Sequence, residues 1–321
     1  MPLRALLLFL ARQEGFKNFA LRFKFFRDTA SRFIAGETLE DAIKIVRYAN
    51  QQRLSGTLDL LGENTVSLED ADKAARHVFE MLDRIRTENV DCNVSVKLTQ
   101  LGLDLDQNFC EQHLIRIVDH ARTLGNFIRV DMEDSHYTQK TLDIVERVHE
   151  HSSNVGAVIQ SYLYRSEPDV LRLLEKRIRI RLVKGAYLEP DSVAFRKKKD
   201  TDANFLKLAK LLLTNGSYHA LATHDESIIL AAKEFAEAKK IPRNHFEFQM
   251  LYGVRRDLQV QLAREGYNVR IYIPYGQRWY PYFMRRLAER PANVAFVVRN
   301  FFKDRNRGFV PAAQEDVWKI R

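Results

Sequence analysis

The apolar positions keep two rhythms, and the change between them falls near Leu54. From Met1 to about Leu54 the spacing is helical, in LLLFLA, NFALRFKFFRDTASRF and AGETLEDAIKIVRYANQQRL, with Gly15 and Gly36 as interruptions. Beyond Leu54, short β-branched runs recur between amphipathic stretches. They are TLDLLGE from Thr57, NVSVKLTQLG from Asn93, FIRVDMED from Phe127, VGAVIQSYL from Val155, RIRIRLVKGAY from Arg177, YHALATHD from Tyr218, HFEFQMLYG from His245 and NVRIYIPYG from Asn268. Segments such as SLEDADKAARHVFEMLDRIR and DESIILAAKEFAEAKK lie between them, with apolar spacing suited to helices laid on a parallel sheet. Eight strands alternating with helices predict an α/β protein with a (β/α)₈ TIM barrel over residues 55–300, preceded by a helical segment 1–54 and followed by a tail 301–321. A doubly wound open sheet is the competing architecture, but its nucleotide site usually carries a glycine-rich first turn. No GxG occurs in the chain, and that absence favours the barrel.

Composition narrows the picture only slightly. At 321 residues and 45% hydrophobic content the chain can bury one large core. A net charge of +9 permits attraction to nucleic acid, anionic lipid or a small acidic substrate. The basic residues are dispersed, several falling at strand ends, so a nucleic-acid partner is not expected. Cys92 and Cys110 form no CxxC pair, which suits a reduced cytoplasmic setting. No apolar run approaches the roughly 18 residues of a membrane span. In Phe16 to Phe33, phenylalanines alternate with Arg and Lys, which fits either a helix packed on the main domain or one lying on an anionic membrane.

In such a barrel the chemistry lies at the C-terminal strand ends. The polar residues assigned there are Asp59 and Glu63; Lys97, Thr99 and Gln100; Asp131, Glu133 and Asp134; Gln160 and Tyr162; Arg181, Lys184 and Tyr187; Thr223, His224 and Asp225; Glu247, Gln249 and Tyr252; and Arg270, Tyr272 and Tyr275. Charged groups facing inward cost desolvation unless paired or bound, so a large polar ligand is expected. A metal is not: Asp131, Glu133 and Asp134 sit on one strand, and only His224 offers a good imidazole. No serine stands in a nucleophile elbow beside His224 and Asp225. His113, His120 and His151 read as surface residues, and the RKKK run from Arg196 reads as a solvated helix start or loop.

The stretch YIPYGQRWYPYFMRRLAER, from Tyr272 to Arg290, joins a strand end, a turn at Gly276 and a helix with Pro281 in its first turn. Helical phasing brings Tyr282, Arg285, Arg286 and Glu289 within one turn of each other. Paired arginines beside aromatics suit a carboxylate or phosphate clamp, and equally a solvated basic face.

Taken in order, TLDLLGE, SVKLTQLG, RVDMED, VIQSYLYRS, IRLVKGAY, ATHD, FEFQMLYG and YFMRRLAE resemble the proline dehydrogenase (proline oxidase) family of flavoenzymes, in its monofunctional bacterial form. The resemblance runs from about Gly36 to Asn300. It implies a distorted barrel whose last helix lies over the mouth, FAD as cofactor, and oxidation of L-proline to Δ1-pyrroline-5-carboxylate with electrons passed to a quinone. Lys97, Arg285 and Arg286 are implied to bind the substrate carboxylate, and Leu251, Tyr272 and Tyr282 to wall in its ring. Asp131 matches a carboxylate that supports the arginine pair, and Glu63 a gate that pairs with the first arginine when substrate is absent. Gln160, Arg181, Lys184, Ala186, Tyr187, Thr223 and His224 match flavin-binding positions, Arg181 near the hydride-accepting locus. Leu188 stands where many relatives carry tryptophan, and Asp225 where asparagine is common. The resemblance further implies peripheral membrane contact and a separate pyrroline-5-carboxylate dehydrogenase acting next. An enzyme handling a phosphorylated substrate with the same arginines is the rival reading.

Overall fold

A computed structural model describes residues 32–62, 65–215 and 217–289. Eight parallel strands close into a barrel in sequence order. They are β1 (Ser55–Leu60), β2 (Cys92–Val96), β3 (Ile128–Val130), β4 (Val155–Gln160), β5 (Arg179–Val183), β6 (His219–Ala222), β7 (Phe246–Leu251) and β8 (Asn268–Tyr275). The register pairs Leu58 with Ile273 across the β1–β8 seam and Leu58 with Val94 across β1–β2. Closure removes the exposed edges that an open sheet would leave.

The predicted barrel is therefore the observed one. Strand alternation sorts the side chains into two layers. Leu58, Val94, Ile128, Ile180, Phe248 and Ile271 face outward into an apolar layer shared with the helices. Their neighbours Asp59, Ser95, Arg129, Arg181, Glu247 and Gln249 are buried on the inner side, where a barrel of this kind ordinarily stacks branched apolar residues. Axial level corrects one expectation: Glu247 and Arg270 are early residues of β7 and β8 and lie toward the N-terminal end, not at the C-terminal mouth.

The helices are α1 (Leu39–Gln51), α2 (Leu68–Thr87), α3 (Gln107–Thr123), α4 (Ser135–His151), α5 (Ser166–Glu175), α6 (Lys198–Thr214), α7 (Glu226–Ala238), α8 (Arg256–Arg264) and α9 (Trp279–Glu289). Side-chain caps open several of them: Thr38 accepts the Asp41 amide, Ser67 the Asp70 amide and Asp106 the Phe109 amide. His113, expected at the surface, is buried on α3 with its ring against Phe109. The RKKK run opens α6, as its charge pattern suggests.

α1 precedes the first strand, yet it packs on β1 and β8 and fills the flank where the helix following β8 would stand in a regular barrel. Its buried stripe is Leu39, Ala42, Ile43, Val46 and Ala49. Val46 comes within 3.3 Å of where a Cβ on Gly56 of β1 would sit. With that flank occupied, the chain leaves β8 differently. Gly276, at φ 121°, turns it across the end of β1, where an added Cβ would meet Leu60 at 3.1 Å. Arg278 then lies over Gly62, and α9 packs Phe283 and Trp279 on the segment before α1 through Phe33 and the Trp279–Glu37 hydrogen bond of 3.2 Å. This places α9, the last of the described helices, at the C-terminal end of the barrel, as expected. No described helix is long and apolar enough to cross a membrane. The segment before Arg32, the residues Glu63 and Asn64, and the tail fall outside the described residues.

Two predictions come from this packing. Ile43→Ala should cost about 2–5 kcal/mol in urea unfolding, because it empties a fully buried position against the seam; a loss below about 1 kcal/mol would mean that α1 is not part of the cooperative unit. His219, whose Nδ1 accepts the Ile180 N–H at 3.1 Å, has its imidazole pushed down to about 3 by burial, with Arg129 and Arg179 adding to the effect. The unfolded chain takes up a proton as pH falls from about 6.5, which the folded chain refuses until about 3, so stability drops across that window. Replacing His219 with Gln should flatten the pH dependence of urea unfolding there by up to about 1.4 kcal/mol per pH unit.

Candidate active site

Inside the C-terminal half of the barrel, five strands converge on one set of charges. Lys97, just after β2, places Nζ 2.6 Å from Asp59 on β1 and 3.4 Å from Asp131, just after β3. Arg181 on β5 gives one guanidinium nitrogen to Asp131 at 2.7 Å and another to Ser95 at 3.1 Å. Tyr272 on β8 donates its hydroxyl to Asp131 at 2.7 Å, and its ring lies 5.3 Å from the Arg181 guanidinium.

Burial is the largest influence on each of these acids. For Asp131 it opposes ionisation, but Lys97 and Arg181 outweigh it and leave the carboxyl below its ordinary range. For Asp59 burial prevails over Lys97, and the nearby Asp131 charge adds to it, so that carboxyl is raised. Two acids share one ammonium, and Asp131 has the further cation. Burial and Asp131 hold the Tyr272 phenol well above its ordinary value, so it remains a donor.

A second group surrounds the end of β5. Lys184 stands 2.6 Å from Asp202 and 2.9 Å from Asp225. Asp225 also takes Lys198 at 2.9 Å. Burial would raise Asp225, but its hydrogen bonds from Lys184, Ser227 and Lys198 bring it well below the carboxylate range. Gly185 then turns at φ 113°, and any Cβ there would strike the Tyr162 ring at 2.2 Å. Ala186 and Tyr187 follow this turn, both part-buried. Thr223 accepts the Asp225 amide at 3.1 Å, and His224 Nε2 accepts the Leu251 amide at 2.8 Å, which puts the hydrogen of the neutral ring on Nδ1. Gln160 donates to the Glu133 carbonyl at 2.8 Å.

The three acids after β3 serve separate purposes. Asp131 joins the charge set, Glu133 accepts the Thr99 hydroxyl at 2.6 Å and its amide at 3.1 Å, and Asp134 caps α4 through the His136 amide. On α9, Tyr282 is buried, Arg285 and Arg286 are part-buried, and the Arg286 guanidinium lies 5.1 Å from the Tyr282 ring. The structure thus joins Lys97, Asp131, Arg181 and Tyr272 directly, links His224 to Leu251, and groups Tyr282 with Arg286. Glu63 lies outside the described residues.

Ser95, Asp202 and Glu189 were not among the strand-end residues expected from sequence, and Asp59 was placed at its strand end without a specific role. Asp59 carried the clearest signal, an acid on the inner face of a strand two residues from Thr57. Glu189 holds the N-terminus of α4 through the Ser135 amide at 2.7 Å, and Tyr162 donates to it at 3.4 Å.

These features define a (β/α)₈-barrel protein whose polar interior, at the C-terminal end, is built from a balanced set of cations and acids. Residues 42–299 match the family described as proline dehydrogenase, and the chain belongs to that family. It is therefore an oxidoreductase of the class acting on CH–NH donors. It is 42% identical to Proline dehydrogenase 1 of Bacillus subtilis subsp. natto over 94% of this chain and 99% of that protein. With Proline dehydrogenase of Deinococcus radiodurans it shares 45% identity over 85% of this chain and 90% of that one. Among solved structures, proline utilization A from Bdellovibrio bacteriovorus, inactivated by N-propargylglycine, superposes with a TM-score of 0.79 at 27% identity. That match covers 88% of this chain and 34% of the longer one, so this chain spans about a third of it.

Removing the ammonium tests the charge set. Lys97→Met should destabilise the protein by about 3–5 kcal/mol, because it strands buried acids. Adding Asp59→Asn should restore a large part of that loss. Strict additivity of the two changes in urea unfolding would mean that Lys97 and Asp59 are not coupled.

Proposed function

We propose that this chain oxidises L-proline to Δ1-pyrroline-5-carboxylate, with FAD as hydride acceptor and a quinone as the final electron acceptor. The observation that carries the reading is the buried set of Lys97, Asp131, Arg181 and Tyr272 inside the barrel of a member of this family.

The residues present fit a flavin. Arg181 is 4% exposed and its Nε has no hydrogen-bond partner, so a buried donor awaits an acceptor beside the charge set. Arg181, Lys184, Gln160, Ala186, Tyr187, Thr223 and His224 would hold the cofactor, which when bound supplies the acceptor for a hydride and relays two electrons onward. Arg181 would stabilise negative charge near that locus.

On the substrate side, Lys97, Arg285 and Arg286 would bind the proline carboxylate through charge-assisted hydrogen bonds and so fix its orientation. Tyr272, Tyr282 and Leu251 would enclose the ring. Asp131 holds the Tyr272 hydroxyl and one face of Arg181 in place, so its contribution is to orient those groups. The site offers positioning and electrostatics: the amine proton leaves through solvent, and the C–H bond beside nitrogen gives up the hydride, leaving a C=N bond. Glu63 would gate the arginine pair, and the barrel over residues 55–300 would be the catalytic domain. The pyrroline product would pass to a separate pyrroline-5-carboxylate dehydrogenase. Quinone reduction would bring the protein to the membrane surface from the cytoplasmic side.

The decisive observation is the visible spectrum of the purified protein, which should show flavin absorbance that bleaches when proline is added without oxygen. A colourless protein would favour the phosphorylated-substrate reading. Arg286→Met should lower kcat/KM for proline by about 2 kcal/mol or more, mainly through KM; near-normal proline kinetics would remove the clamp.

A further inference from the structure

At the opposite end of the barrel, among the N-terminal ends of β2, β3, β5, β7 and β8, lies a cavity of about 300 Å³. Its charged lining is Arg86, Arg129, Arg179 and Arg270 against Asp91 and Glu247. Both acids already have partners. Glu247 takes Arg270 Nε on its two oxygens at 3.1 and 3.0 Å and the Tyr218 hydroxyl at 3.1 Å. Asp91 takes the Ser55 hydroxyl at 2.6 Å.

Among the described residues neither Arg129 nor Arg179 has a carboxylate within ion-pair distance. Arg129 is 3% exposed, gives one guanidinium nitrogen to the carbonyls of Ala157 and Arg179 at 3.0 and 2.6 Å, and leaves Nε without a partner. Arg179 is exposed and lies by the same aromatic ring, that of Phe127. The two guanidinium carbons stand 4.9 and 5.1 Å from the Phe127 ring centroid, so two like charges share one ring. Burial, with Arg181, Arg179 and Arg270 adding to it and Glu247 opposing it, holds Arg129 well below its ordinary value.

The chain keeps this arrangement by sequence. A Cβ at Gly156 would come within 2.6 Å of the Arg129 guanidinium and 2.8 Å of the Phe127 ring. Only glycine leaves room on β4 for both, so the buried arginine is built in and held against the cavity wall. A buried guanidinium normally obtains a carboxylate or a phosphate, because charge-assisted bonds then replace lost hydration.

We infer that this cavity is a second binding site, separate from the charge set at the mouth, for a small phosphate-class oxyanion held between Arg129 and Arg179. The ion enters either as free phosphate or as the phosphate end of a monoester. Its volume falls at the lower end of the range for small-ligand pockets, which suits either form. Arg179 supplies the accessible cation and Arg129 the fixed one.

Calorimetric titration of the purified protein tests the site, with inorganic phosphate against chloride at equal ionic strength, and with glycerol 3-phosphate in a parallel arm. Saturable binding is expected, weakened about tenfold or more in Arg179→Gln and unchanged in Arg285→Met at the other end of the barrel. Equal affinity in the two arms identifies the free ion; tighter binding of the ester identifies a monoester. A readout on the unaltered protein accompanies it: phosphate should protect Arg179 from phenylglyoxal, read by peptide mass spectrometry. Phosphate no better than chloride, absence of protection, or loss of binding in Arg285→Met with retention in Arg179→Gln would each overturn the site.

Discussion

The structure depends on keeping an ammonium and a guanidinium charged in a place that water does not reach freely. Lys97 and Arg181 achieve this with Asp59 and Asp131, and the four groups come from four different strands. Each charge is costly alone and tolerable only in the company of the others. The set therefore acts as a cross-brace: β1, β2, β3 and β5 must hold their relative heights for the distances to survive, and Tyr272 extends the requirement to β8. A side-chain network of this kind adds to the backbone ladders in holding the register between strands, while leaving inward-facing positions free for polar work that an apolar interior could not perform.

Much of the fold was legible because strand alternation writes itself into short runs. In FEFQM and VRIYI the apolar residues keep one parity and the polar residues the other, which identifies a strand with an apolar outer face and an occupied interior. Height along the barrel axis is not written there. Glu247 and Arg270 belong to the same alternating patterns as Leu251 and Tyr272, yet both line the cavity at the N-terminal end, since level is set by register between strands distant in sequence. The same limit hid Asp59: its place on an inner face could be read, but not that it, rather than any of several other acids, comes within 2.6 Å of Lys97. His113 was misplaced for a related reason, because a histidine on a helix carries no sign of which neighbour will cover it. The roles assigned to Arg285, Arg286 and the flavin positions came from resemblance, not from pattern.

The two ends of the barrel divide the arginines between them. Arg181 at the inner charge set is balanced by Asp131, whereas Arg129 and Arg179 at the lower end have aromatic faces and backbone carbonyls in place of acids. The positive formal charge of the chain is thus not uniformly a surface property. Part of it is carried inward on strands, where neighbouring dipoles and rings, not bulk solvent, determine how it is held.

The position of α1 also has a consequence for how the chain is made. This helix is synthesised before β1, but half of the groove that buries its apolar stripe belongs to β8, the last of the described strands. A nascent chain must carry Ile43 and Val46 uncovered on one side until nearly the whole barrel has left the ribosome. Closure of the cylinder and burial of this helix are consequently one late event. A chain interrupted before Tyr275 would lack part of the β8 surface on which Ile43 and Val46 come to rest.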